Sequence, residues 1–207
     1  MNRYFSLSTP HGSLHGHLER PDHPRGLVLV ASVHNALADR VIAANLAARN
    51  YAILSMELLT AQETHFIDAA QNVPRLSQRL LDILDLVRED GDTLDLPLAI
   101  FTTGEVTPAA IRVAARRDLQ VRALACHGGL IDRAGLEALK LLTAPLLMLF
   151  DATNDVEEVA FRRARTHLRA ICEERILDIG EDASLHVAAW LSVHLQATTD
   201  KPPATRL

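Results

Sequence analysis

Phe101-Thr102-Thr103-Gly104-Glu105-Val106-Thr107-Pro108 is the stretch that decides the reading of this chain. It closes a short apolar strand, Leu98–Phe101, and leads into a helix that opens at Thr107-Pro108. Threonine suits an N-cap, and proline suits a first helical turn where its missing N–H is not needed. A strand-to-helix turn of this kind stands where open α/β sheets bind ligands, past the carboxyl end of a parallel strand. It holds neither serine nor cysteine.

Outward from that turn, the chain alternates short β-rich runs with helical patterns, which is the signature of a parallel α/β sheet. Tyr4–Ser8 and Ser13–Leu18 form a hairpin around Thr9-Pro10-His11-Gly12. Leu27–Ser32 is apolar almost throughout, as a strand covered on both faces must be. Further strands are expected at Tyr51–Met56, Val121–Cys126, Leu146–Phe150 and Arg175–Ile179. Helical spacing marks Ala36–Asn50, Ile67–Val87, Thr107–Arg116, a short helix from Asp132 to Leu141, Val156–Ile171 and Ala183–Leu195. Pro74 breaks or starts the second of these, Gly91 closes it, and Asn50 ends the first in the left-handed conformation. The expectation is one α/β domain over 1–197. It has a mostly parallel sheet of about six strands, an N-terminal antiparallel hairpin and helices on both faces, and a frayed tail follows over 198–207.

Composition narrows the function classes. At 207 residues, 48% hydrophobic, the chain suffices for one well-buried core. Net charge is −5, and Lys140 and Lys201 are the only lysines, so no nucleic-acid footprint is expected. No apolar run is long enough to span a membrane, and the N-terminal residues lack the apolar core of a signal peptide. Cys126 and Cys172 show no motif spacing, so a disulfide is not expected and a reducing cytoplasm fits.

The order of motifs resembles the α/β-hydrolase superfamily, in its small dienelactone-hydrolase-like branch. Gly12–Leu18 followed by Arg25-Gly26-Leu27-Val28-Leu29-Val30 resembles its opening hairpin and first long strand. Leu58-Leu59-Thr60 with Glu63 resembles its Asp-Leu-Leu-Thr-x-x-Glu stretch, with Glu57 replacing the aspartate. His127-Gly128-Gly129 with Asp132 resembles its Arg-Gly-Gly-x-x-Asp turn, and Ala144-Pro145-Leu146-Leu147-Met148 its Ala-Pro-x-Leu strand. Trp190 resembles the aromatic of the final helix. The resemblance implies a nucleophile in a Gly-x-Ser-x-Gly turn, a histidine before the last helix and an oxyanion-binding loop. Here Gly104 stands where the serine belongs, with Thr103 before it, and Ser32-Val33-His34-Asn35-Ala36 replaces the oxyanion loop. Asp155 matches the triad aspartate, while Gly180–Ser184 carries no histidine and His186 falls inside the helix.

Glycine has no nucleophilic atom, and serine chemistry needs base and orienting acid together. The expectation is therefore a binding or interaction protein without Ser-His-Asp catalysis. The alternative is a divergent esterase or lactonase using Thr103, Cys126 or an unusual base such as His34. Candidate ligand-binding residues past the strand ends are His34, Thr103, Glu105, His127, Asp151 and Asp155. His15 and His17, with His11 or His23, could hold a metal; their loose spacing favours a solvated hairpin face. Cys126 and His127 are strand neighbours facing opposite sides, so a dyad is awkward. The arginines at 162, 163, 165 and 169 read as a solvated helix face. No metal and no cofactor are expected; a small-molecule ligand and a homodimer are the open partner classes.

Overall fold

β-branched and aliphatic runs bury on both sides only in the middle of a covered sheet, and this sequence supplies several. The computed structural model describes residues 1–34, 37–153 and 155–195; Asn35, Ala36, Asn154 and 196–207, which include the expected tail and the last two residues of the expected domain, lie outside the described residues. The strands are β1 (Asn2–Thr9), β2 (Gly12–Glu19), β3 (Leu27–Ser32), β4 (Ala52–Glu57), β5 (Leu98–Thr103), β6 (Val121–His127), β7 (Leu146–Asp151) and β8 (Cys172–Leu177). They form one eight-stranded sheet in the order β1-β2-β4-β3-β5-β6-β7-β8. The β1–β2 hairpin and the β2–β4 pair are antiparallel; every other pair is parallel. β3 is buried at every position, whereas β1 alternates exposed and half-buried residues. That contrast places β3 near the centre and β1 at one edge.

The helices are α1 (Leu37–Ala47), α2 (Ile67–Ala70), α3 (Val73–Glu89), α4 (Thr107–Arg116), α5 (Leu136–Leu141), α6 (Asp155–Arg165) and α7 (Ala183–His194). One face of the sheet packs against residues of α3, α4 and α6, including Leu76, Leu80, Ile111 and Phe161. The other packs against α1 and α7 through Ile42, Leu46, Val187 and Leu191. α3 starts at Val73 with Pro74 in its first turn, and the Asn72 side chain accepts from the Arg75 N–H at 3.0 Å. Asn50 takes φ +67 beyond α1, the left-handed turn the sequence calls for.

Several boundaries differ from the sequence reading: α1 ends at Ala47 rather than at Asn50, and the helix expected over Ile67–Val87 is divided into α2 and α3. α6 stops at Arg165 rather than at Ile171, because His167 and Leu168 close tight turns onto Ala164 and Arg165. The last strand is Cys172–Leu177, not Arg175–Ile179; Ile179 is 93% exposed, beyond the register that ends at Asp151 opposite Leu177. α3 ends at Glu89 with Asp90 extended as its cap, before Gly91 is reached. Asp132 opens no α-helix: it sits in a 3-10 turn, Ile131–Ala134, and Gly135 at φ +87 separates that turn from α5.

Glu63 and Arg79 form a buried knot below β4. Glu63 accepts from the Thr60 N–H and hydroxyl at 3.0 Å each, from Arg79 at 2.8 Å and from Arg75 at 3.0 Å. Arg79 also donates to the Leu58 carbonyl at 2.5 Å. Burial works to raise the Glu63 pKa, but the Arg79 hydrogen bond and the two from Thr60 outweigh it and hold the carboxyl at about 2, below its ordinary 4.5. A carboxyl lowered on folding contributes stability that is whole above the unfolded value and is lost as pH falls through the folded one. The contribution is about 3 kcal/mol, present above pH ~4.5 and gone near pH ~2. Urea midpoints across that window should fall less steeply for Glu63→Gln than for the parent; equal slopes would refute the assignment.

Candidate functional site

Strand alternation brings three of the expected residues into one row. Phe101 and Thr103 on β5, Ala125 and His127 on β6, and Leu149 and Asp151 on β7 share one face, since side chains repeat every second residue. The register pairs Thr103 with His127, and His127 with Leu149. Phe101, Ala125 and Leu149 lie in the core under α1 and α7, so Thr103, His127 and Asp151 emerge from that same face at the carboxyl ends. His127 Nε2 lies 2.9 Å from Asp151 Oδ1. A carboxylate only accepts, so Nε2 carries the proton, and in the neutral ring Nδ1 keeps its lone pair. The His127 side chain is 21% exposed and that of Asp151 64%.

A fourth residue joins them that sequence reasoning missed. Asp39, in the first turn of α1, is 5% exposed, and neither carboxylate oxygen has a hydrogen-bond partner. Burial pushes its pKa up, while the Thr103 hydroxyl, acting from outside hydrogen-bond geometry, and the charge of His127 pull it down. The sequence held one signal: an acid in the first turn of a helix, close to the apolar Leu37, Val41 and Ile42.

The turn after β5 has the shape of a nucleophile-bearing turn without the nucleophile. Gly104 has φ +50 and opens a 3-10 turn, Gly104–Val106, that runs straight into α4. A Cβ at Gly104 would meet nothing within 4 Å. Beneath it the turn is locked. The Thr107 hydroxyl donates to the Gly128 carbonyl at 2.9 Å, and the Thr102 hydroxyl reaches Cys126 Sγ at 3.4 Å. Gly129, at φ +99, lies so close that an added Cβ would stand 2.3 Å from the Gly104 carbonyl oxygen. Cys126 is fully buried and its thiol is pushed up to about 11 by that burial, so it supplies no thiolate near neutrality.

The other expected residues lie apart from the row. His34 and Glu105 are exposed on the loops that follow β3 and β5. Asp155 begins α6 and lines a separate shallow hollow with Leu130, Asp132, Val156 and Arg163. In the β8–α7 connection, Glu181 accepts from the Asp178 N–H at 2.9 Å and pairs with His186 at 2.6 Å. Asp182 caps α7 by accepting from the Ser184 N–H at 2.9 Å. Those hydrogen bonds hold both carboxyls below their usual range. The acids that fill this connection therefore shape the helix start. Among the described residues no group of three His, Cys, Asp or Glu side chains is placed to hold a metal, and no helix is long and apolar enough to cross a membrane.

Known proteins place this architecture. Dienelactone hydrolase from Anabaena variabilis superposes with a TM-score of 0.85 at 23% identity, over 95% of this chain and 99% of that one. A cold-adapted esterase from an Arctic intertidal metagenomic library superposes with a TM-score of 0.73 at 14% identity, over 94% of each chain. In sequence, a provisionally named phosphoribosyl transferase of Mycobacterium tuberculosis is 30% identical over 162 residues, which make up 76% of this chain. The chain spans only 36% of that longer relative. No protein-family profile matches the chain. The eight-stranded order, the turn after β5 and the superposition with a dienelactone hydrolase and an esterase together give this chain the α/β-hydrolase fold.

Proposed function

We propose that this chain binds a small molecule in the crevice above Gly104 and does not hydrolyse it through a serine-type nucleophile. The observation that carries this reading is Gly104 itself. It has the left-handed backbone and open space above it that a nucleophile would use, and no side chain there. Beside it Thr103, His127 and Asp151 offer a polar row, with His127 held by Asp151. Such a location, at the carboxyl ends of parallel strands, is where open α/β folds take ligands. The transferase chemistry named for the longer mycobacterial relative is assigned, in this reading, to the greater part of it that this chain does not span.

The purified protein is expected to show no turnover of p-nitrophenyl acetate or butyrate and no covalent labelling by a fluorophosphonate probe. Gly104→Ser serves as the accessibility control. Turnover by the parent chain, abolished in Thr103→Ala, would overturn the proposal. That outcome would establish the second reading, a divergent hydrolase of a small ester or lactone. One observation favours it: the Thr103 hydroxyl lies beside Asp39 and on the strand next to His127, whose Nε2 is already held by Asp151.

A further inference from the structure

Asp39 is a buried carboxyl whose oxygens make no hydrogen bond among the described residues, and groups of that kind are costly unless a partner is supplied. It also belongs to the wall of a cleft of about 440 Å³ between α1 and the N-terminal hairpin. Val30, Ser32 and Met56 are the other buried lining residues and make the floor, all less than 9% exposed. Tyr4 and His17 stand on the hairpin side with ring centroids 5.2 Å apart, and Glu57 closes the end of β4. The volume suits a small organic ligand.

We propose that this cleft binds an organic cation: a primary ammonium on a small apolar body, with the ammonium taken by Asp39. The proposal goes beyond the binding reading above, because Thr103, Gly104, His127 and Asp151 do not line this cleft. The buried carboxylate makes no hydrogen bond among the described residues, and Glu57 adds to the negative potential along the wall. The Val30 and Ala43 side chains give the apolar body a surface, and the Tyr4 ring offers a cation a π face at the rim. Arg40 also lines the cleft and is exposed to solvent, which screens its charge. A metal ion fits less well, because no three ligating side chains converge among the described residues.

Titration calorimetry with 2-phenylethylamine tests this, with 2-phenylethanol as the neutral isostere. The amine should bind and the alcohol should not, and Asp39→Asn should weaken the amine about a hundredfold. In the absence of ligand, Asp39→Asn should raise the melting temperature, because it removes an unpaired buried charge. Should that variant fail to fold, Ala43→Leu fills the cleft without touching the carboxyl and should also abolish binding. No binding of the amine to the parent chain overturns the proposal. So does equal binding of the alcohol, or binding undiminished in Asp39→Asn or Ala43→Leu. A folded Asp39→Asn protein that melts below the parent also overturns it, since the carboxyl would then have a structural partner. Ester turnover by the parent, with amine binding intact, would refute the non-hydrolytic reading and leave this site standing.

Discussion

Replacing Arg79 with alanine is expected to cost about 3–5 kcal/mol of folding stability, read from urea denaturation near neutral pH. The side chain is 4% exposed and the partner Glu63 side chain 9%, so water cannot replace what is lost. Removing the guanidinium leaves Glu63 with Thr60 and the half-exposed Arg75, and leaves the Leu58 carbonyl without its donor. The cost arises from stranding a buried charge rather than from the worth of the pair. Replacing both members by apolar residues, Arg79→Met with Glu63→Leu, should therefore cost far less than the single change. A single-variant loss below about 1 kcal/mol would place the pair among surface-like ion pairs and refute this account.

Gly129→Ala is the second large effect, and it acts at the turn after β5. Alanine at φ +99 is strained by itself, by about 1–2 kcal/mol. Its Cβ would also stand 2.3 Å from the Gly104 carbonyl oxygen and 2.7 Å from Thr107 Cβ, both held by the surrounding backbone. Overpacking of this kind costs a further 1–3 kcal/mol or so, giving a total of about 2–5 kcal/mol. Gly104→Ala provides the contrast. Its backbone is also left-handed, but its Cβ enters open space, so only the strain of about 1–2 kcal/mol applies. Melting temperatures of the two variants should separate clearly; equal losses would mean that the closeness of Gly129 to the turn has no energetic weight.

These contrasts show what could be read from the sequence. The strands were legible because runs such as Leu27–Ser32 and Leu146–Phe150 are buried on both faces and carry little else. The turn at Gly104 was legible because Pro108 announces the helix that follows, although Thr107 is its first residue rather than its cap and its hydroxyl donates to the Gly128 carbonyl. Helix ends were less so: the apolar spacing of Leu168 and Ile171 continues past α6, but tight turns at His167 and Leu168 stop the helix. In the site, Thr103, His127 and Asp151 could be placed at strand ends, while their shared face depends on register across β5, β6 and β7. Their grouping with Asp39 could not be read at all, because it depends on how α1 lies over the sheet. Glu63 was visible as part of a motif, but Arg79, sixteen residues away, enters only when α3 folds back.

The two borders of the sheet are unlike in kind, and that has a consequence for exchange and access. As a strand β1 pairs with β2 alone, and β2 meets the rest of the sheet over Gly16–Glu19 opposite Ile53–Met56. The hairpin can therefore open as a local unit without breaking the parallel ladder of β3, β5 and β6. Backbone amides of Tyr4, Ser6 and Ser8 should lose protection from deuterium long before those of Val28 or Leu124. One wall of the cleft over Asp39 belongs to this detachable unit, and the other belongs to α1. Opening of the hairpin thus moves one wall of that cleft while the other, on α1, stays packed on the sheet.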